Sequence, residues 1–395
     1  MNQSVYIVAA SRTPIGSFNG CLSGLSAAEL GSTVIEDVVK RALINTSDVS
    51  EVIVGQVYTA GQGQNPARQA SLKAGIPHDV PAWGVNMLCG SGLKAIALGV
   101  QSIKCGDADL IIAGGQESMS QTPHATCMRA GTKMGNVVAV DTLIKDGLQD
   151  AFIDCHMGVT AENIVKIYNV SREAQDIFAY KSQQKTEVAI NSGYFNREIV
   201  PVTIPGKKGN SEISKDEYPR SGCTLESLGR LKPCFILTGE GTVTPGNASG
   251  INDGAAAVVL ASEDKLRRDA NVQKLCRIVS WAQVGVLPNI MGMGPVTAIQ
   301  AALKKAKWSI DEVDLYELNE AFAAQSIAVL QELSIDSNKV NINGGAIALG
   351  HPLGASGARV LVTLIYALQR TGGKKGVAAL CIGGGQGIAM CIEVA

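Results

Sequence analysis

The beginning and the end of this chain read as two versions of one pattern, and that repetition limits the possible folds more than any other feature of the sequence. In the first copy Val5 to Ala10 is a strand, Ala27 to Ala42 carries apolar residues at helical spacing, and Val49 to Val57 leads into another strand. The second copy begins near Cys276. There Arg277 to Val284 is the strand, Val296 to Ala306 the helix, and "SIDEVDLYELN" matches "TSDVSEVIVGQ" in position and character. Further along, "SGLKAIALGVQSIKCGDADLIIAGGQ" aligns with "SGARVLVTLIYALQRTGGKKGVAALCIGGGQ". Each is a turn, a helix, a polar loop and an apolar strand ending in Gly-Gly-Gln. Strands rich in Val, Ile and Ala on both faces, alternating with helices, imply an α/β protein whose sheets are covered by helices and are mainly parallel.

Residues 120–249 break the repeat with short polar stretches and one clear helix, Arg172 to Ser192. They read as an inserted domain. The apolar run Ala255 to Ser262 then returns to the first sheet, so the expected domains are 1–119 continued by 250–272, the insertion at 120–249, and the second copy at 273–395. With 46% hydrophobic and 17% charged residues in a chain of 395, these are packed globular units. Basic and acidic residues number 34 and 35 with no long block of one sign, which argues against nucleic acid as a partner. No apolar run approaches the roughly 18 residues of a membrane span, and the N-terminus reads as a first strand rather than a leader, so a cytoplasmic enzyme is expected. The ten cysteines include no C-x-x-C pair and the four histidines stand far apart, so reduced thiols are expected and no metal.

Cys89 sits between a strand and a helix that starts near Ser91 or Gly92. Unpaired helix N–H groups there stabilise thiolate, the nucleophilic form, and Gly90 and Gly92 permit a sharp turn. A buried structural cysteine is the bland alternative. The same stretch also fits a G-x-G-x-x-A dinucleotide fingerprint through Gly90, Gly92 and Ala95, but Asp107 and Asp109 precede the next strand where an acidic residue should end it. His351 occupies a glycine-rich loop in the second copy that mirrors the Cys89 loop. It is placed either to take the Cys89 proton or simply to fix a turn beside Pro352. Cys381 ends an apolar strand before three glycines, either as a second reacting thiol or as core. Asn319 and Glu320 leave a strand, with a helix from Ala321 to Gln331; Asn319 could donate to an oxyanion and Glu320 could cap the helix.

"NMLCGSGLKA", "GGQESMS", "NASGINDGAA", "NEAFA", "GHPLGASGAR" and "CIGGGQG" occur in the order and approximate spacing of the thiolase family, which the chain resembles over essentially its whole length. The resemblance implies the thiolase fold, two pseudo-repeated layered α/β/α halves with mixed sheets and an inserted loop domain, usually assembled as a homotetramer. It implies that Cys89 accepts the acyl group, that His351 activates it, and that Cys381 moves protons to and from the leaving group and the acetyl α-carbon. Asn319, through a water, and His351 would form one oxyanion hole, and the backbone of Cys89 and Gly383 the other. It places coenzyme A against Leu148, Arg220, Ser227, Ser249, Ala321 and Phe322, with Arg220 meeting phosphates near Lys207, Lys208, Lys215, Arg230 and Lys232.

"DAFIDCHMGVTAEN" looks like the short-substrate, biosynthetic branch, with His156 and Met157 bordering a narrow acyl pocket; ordinary core and loop roles are the alternative. Pro245 departs from the small residue many relatives carry there. The implied reaction condenses two acetyl-CoA to acetoacetyl-CoA and CoA through an acetyl-cysteine, with coenzyme A as substrate and product and no permanently bound cofactor. Rival readings are a degradative 3-ketoacyl-CoA thiolase for longer chains, a non-catalytic acyl-CoA-binding relative and, more distantly, an NAD-dependent oxidoreductase.

Overall fold

The structure is a computed structural model that describes residues 3–206, 209–269 and 271–394. Ten strands form one sheet. From one edge the order is Leu315–Leu318, Lys375–Ile382, Gln386–Val394, Cys276–Gly285, Val5–Arg12, Asn252–Ser262, Leu110–Ser118, Glu51–Gly55 and Ala82–Val85, with Gly16–Ser17 pairing beside the path. The two copies meet where Val5–Arg12 runs antiparallel to Cys276–Gly285. Val5 lies opposite Ile278, Tyr6 opposite Arg277 and Ile7 opposite Cys276. Aligned copy on copy, Val5 corresponds to Cys276 and Ile7 to Ile278, so the pairing is symmetric about Tyr6 and Arg277.

The expectation of mainly parallel strands holds only toward the edges, where Glu51–Gly55 pairs with both neighbours and Leu315–Leu318 with Lys375–Ile382. The central pairs are antiparallel. Lys375–Ile382 and Gln386–Val394 are joined by three glycines, of which Gly384 and Gly385 take φ +77 and +85. That is a hairpin, far too short for a parallel crossover. The two Gly-Gly-Gln runs therefore differ. In the second copy the glycines are the turn, whereas Gly114 and Gly115 lie inside Leu110–Ser118, where a Cβ would stand 2.1 Å from the Ala256 carbonyl oxygen and 2.0 Å from that of Gly354. Glycine serves close backbone approach in one copy and positive φ in the other.

The helices make three layers. Ala27–Ala42 covers the outer face of the first copy; Ser26 and Glu29 form its capping box, and Leu30, Val34, Ile35 and Val38 face the sheet. Gly294–Ala306, starting two residues before the expected helix with Pro295 in its first turn, covers the outer face of the second copy. Between the two halves of the sheet lie Ser91–Cys105 and Leu353–Thr371, whose residues mingle with both halves in a single core. The inner helical layer is thus shared rather than each half owning its own. A Cβ on Gly92 would meet the Ala358 nitrogen at 2.8 Å, and one on Gly357 the Leu93 nitrogen at 2.3 Å. The helices cross at the same Ser-Gly pair of each copy.

The insertion supplies Met157–Tyr168 and Arg172–Asn191, the latter ending one residue before the expected boundary. Met157–Tyr168 packs against the Ala323–Leu333 helix, so the insertion sits over the strand ends that carry the candidate residues. Among the described residues no helix is long and apolar enough to cross a membrane.

Candidate active site

Cys89 follows Leu88, a non-glycine residue held at φ +47, and precedes the N-cap Gly90 of Ser91–Cys105. The strained turn is overdetermined. The Leu88 N–H donates to Asn86 Oδ1 at 2.9 Å, while Ser91 Oγ donates to the Leu88 carbonyl at 2.7 Å and accepts from the Met87 N–H at 2.8 Å. Gly90 and Gly92 are filled by the other half of the molecule: a Cβ on Gly90 would lie 2.5 Å from Ile382 Cδ1. No pyrophosphate could approach them, which removes the dinucleotide reading. Burial pushes the Cys89 thiol up to about 11, more than the N–H groups of Gly383 and Cys89 itself draw it down. At this sulfur burial thus outweighs the stabilisation of thiolate that the helix start offers.

His351 lies in the loop entering Leu353–Thr371 and is 4% exposed. Its N–H donates to Asn252 Oδ1 at 2.9 Å, and its Nδ1 is 2.6 Å from Ser356 Oγ. The Ser356 hydroxyl proton is committed to the Pro352 carbonyl at 2.8 Å, so Ser356 accepts from Nδ1–H and Nε2 carries the lone pair. Asn319 Nδ2 lies 3.3 Å from Nε2. Burial, with the Arg359 charge second, lowers His351 to about 3, so the resting ring is neutral.

Asn319 follows Leu315–Leu318 and its buried Oδ1 has no partner among the described residues. Glu320 is not the cap of the following helix. That helix starts at Ala323 with no side-chain cap, because the Glu320 carboxylate accepts from Ser182 Oγ at 2.7 Å, Asn341 Nδ2 at 2.9 Å and the Ile347 N–H at 3.2 Å. It holds the short helix Ala346–Leu349 just ahead of His351 instead. Cys381, near the end of Lys375–Ile382, is fully buried with Met157, Met291, Ala321 and Phe322. Burial raises its thiol, and the Cys89 charge adds to the rise.

Cys89, His351 and Gly383 face one cavity of about 530 Å³. Leu148, His156, Met157, Arg220, Ser249, Ala321 and Phe322 line it too, drawn from the insertion and from the strand ends. Ser227 does not reach it. That residue completes the capping box of Leu225–Gly229 with Thr224, on an exposed surface. Lys207 and Lys208 lie outside the described residues. Arg230 is paired with Glu226 and does not line the cavity. Pro245 lines the wall beside a turn closed by Thr244 N–H to Asn247 Oδ1 at 2.8 Å.

His156 caps Met157–Tyr168 through Nδ1 to the Gly158 N–H at 3.0 Å and stacks on Phe235 at 4.5 Å between centroids. Phe235 meets Phe322 edge-on at 6.2 Å. Burial lowers the His156 pKa and favours its neutral form. Phe235, Met291 and Tyr218 escaped the sequence reading: Phe235 and Tyr218 line the cavity from irregular segments and Met291 from the short 3-10 helix Pro288–Met293, none with a periodicity to mark it.

Residues 5–264 match the profile for "Thiolase, N-terminal domain" and residues 272–394 that for "Thiolase, C-terminal domain". The cytosolic acetyl-CoA acetyltransferase of Mus musculus is 57% identical over 98% of this chain and 98% of its own length. The acetyl-CoA acetyltransferase of Shinella zoogloeoides is 55% identical over 100% of both. The crystal structure of Bacillus anthracis acetyl-CoA acetyltransferase superposes with TM-score 0.97 at 43% identity, covering 100% of both chains. Human mitochondrial 3-ketoacyl-CoA thiolase does so with TM-score 0.96 at 43% identity, covering 100% of this chain and 99% of that one. Two halves with matching loops, a shared pair of crossed helices and a cysteine facing a histidine across them agree with these matches: the chain belongs to the thiolase family.

Proposed function

We propose that this acyltransferase is an acetyl-CoA C-acetyltransferase, condensing two acetyl-CoA to acetoacetyl-CoA and CoA and running the reverse thiolysis. The observation that carries the reading is the meeting of Cys89, the bare Nε2 loop of His351 and the Gly383 N–H at one cavity narrowed by Met157 and the His156–Phe235 stack.

The Cys89 sulfur attacks the thioester carbonyl while His351 Nε2 takes the thiol proton. Because the resting pair is neutral, proton transfer accompanies attack. The N–H groups of Cys89 and Gly383 receive the developing oxyanion. Cys381 gives its proton to the departing CoA thiolate and becomes a thiolate itself. Burial makes that thiolate a strong base, matched to a weakly acidic acetyl α-proton, which it removes from the second acetyl-CoA. The carbanion attacks acetyl-Cys89, with Asn319 and His351 stabilising the enolate oxygen of the incoming acetyl group. The Cys89 thiolate released recovers the proton held by His351. Leu148, Arg220, Ser249, Ala321 and Phe322 would hold coenzyme A along the same cavity.

Incubation with radioactive acetyl-CoA should label the Cys89 peptide, and the C89A variant should take up none; full turnover with Cys89 unlabelled would discard the reading. A 3-ketoacyl-CoA thiolase acting on longer chains is the alternative reading, since a human mitochondrial protein of the name 3-ketoacyl-CoA thiolase is also similar in structure. Comparable turnover of 3-ketodecanoyl-CoA and acetoacetyl-CoA would establish that alternative instead. Cytoplasmic residence is supported by the cytosolic murine and rat relatives. Assembly as a homotetramer rests on the family resemblance, and the exposed apolar residues of the insertion, Met134 at 93% and Val138 at 75%, are compatible with self-association.

A further inference from the structure

Glu117, in the "GGQESMS" segment, takes no part in the steps above, yet it is wholly buried beside them. The strand registers show what it corresponds to. Val52 lies opposite Ile112 in the first copy and Leu315 opposite Gly376 in the second. Val52 and Leu315 are equivalent in the repeat, so five residues further along Glu117 stands where the second copy has Cys381.

Its carboxylate spans the boundary between the halves. Oε2 accepts from the Val57 N–H at 3.0 Å and from the Gly354 N–H at 2.8 Å, and Oε1 accepts from the Tyr58 N–H at 3.2 Å. Gly354 lies in the first turn of the helix that follows His351. Tyr58 packs in the small apolar cluster that includes Leu88, Cys89 and Leu353. One side chain therefore ties the wall beside the nucleophile to the turn that aims the histidine. The backbone is shaped to permit this, since a Cβ on Gly354 would stand 2.8 Å from Glu117 Oε2 and 2.7 Å from Gln56 Cα.

We propose that Glu117 is the positioning residue that sets the separation of Cys89 and His351, through its hydrogen bonds to Gly354, Val57 and Tyr58. The proposal rests on the reading of those two residues as the reacting pair. Its electrostatic effect runs the other way: burial pushes Glu117 itself up to about 8, and once ionised above that pH its charge raises the Cys89 thiol, so on charge alone the enzyme would gain thiolate at high pH by losing it. Geometry and charge therefore make opposite predictions for the same substitution.

The test uses the full chain, with folded content followed by circular dichroism, in E117Q and E117D. E117Q keeps the length but turns an NH2 toward an N–H donor, and E117D keeps the charge but withdraws it from Gly354. Misplacement of a reacting group by about 1 Å can cost up to roughly 100-fold, so at saturating acetoacetyl-CoA and CoA each folded variant should lose about 10-fold or more in kcat, with KM changed less than about threefold. The pH profile of Cys89 alkylation by iodoacetamide should move to lower pH in E117Q and stay in place in E117D. A kcat within threefold of the parent in either variant overturns the proposal, and an alkylation profile that moves in E117Q while kcat does not fall assigns Glu117 an electrostatic role in its place. Acetyl labelling of Cys89 in the parent separates the two claims. Its absence removes the functional reading, whereas a labelled parent with parent-like variants removes only the role of Glu117.

Discussion

Ser356 decides which nitrogen of His351 is bare, because its only proton is spent on the Pro352 carbonyl. Ser356→Ala should leave the ring free to adopt the other tautomer and lower kcat by about 10–100-fold, with a smaller change in KM, as loss of an orienting partner typically does. Steady-state thiolysis checks this. At the acyl end of the cavity, Phe235→Ala removes the ring against which His156 stacks. Turnover of a six-carbon ketoacyl-CoA relative to acetoacetyl-CoA should rise by about 10-fold or more, the scale at which pocket volume discriminates methylenes. Cys89 and His351, which the structure brings to one cavity, stand out in the sequence because a glycine adjoins each of them; Cys381, marked by the glycines that follow it, lies fully buried beside Met157, Met291 and Phe322 rather than among the residues lining that cavity. The protonation of Cys89 was not legible there, since it depends on how many apolar atoms three-dimensional packing brings to the sulfur. Nor was Phe235, an aromatic in an irregular loop.

Helix Ala27–Ala42 was legible to the residue, since its apolar spacing and the Ser26–Glu29 capping box are local. Strand direction was not. Alternation of apolar residues says which faces are buried, but it is the same read forward or backward, and the Asn252–Ser262 strand returns only after a long insertion. The repeat did foretell that the two inner helices are equivalent. What only the structure supplies is that they touch at Gly92 and Gly357, each packed against the other's backbone. Gly357→Ala should therefore force the pair apart and destabilise the protein by about 1–3 kcal/mol, the usual cost of overpacking. Urea denaturation of the variant beside the parent measures it. Gly75→Ala makes a useful contrast, because its added methyl meets nothing and its cost comes from φ +77 alone.

Across the whole molecule, buried ionisable pairs bridge the layers. Arg12 pairs with Glu198 and Asp216 at 2.7 Å each, joining the first strand to the insertion, and Arg359 lies 3.7 Å from Glu317 between the inner helix and the second copy's sheet. Burial, only partly countered by Arg359, pushes Glu317 up to about 8 against an ordinary 4.5. A carboxyl raised in this way favours the folded state fully below about 4.5 and loses that contribution as pH climbs through about 8. Glu317→Gln is neutral throughout. Its stability relative to the parent should thus improve between pH 5 and pH 8 by about 1–3 kcal/mol, read from urea midpoints at the two values. A difference that is flat or of opposite sign would show Glu317 to be ionised across that range.

The chain's division into copies separates the thiol from the groups that use it. Cys89 belongs to the first copy, whereas His351, Asn319 and Cys381 belong to the second, with residue 276 between them. During synthesis the nucleophile thus leaves the ribosome well ahead of everything that could rouse it. Only when Gln386–Val394 inserts between Lys375–Ile382 and Cys276–Gly285 does the later copy close. Closure of that second copy is the moment the enzyme is armed.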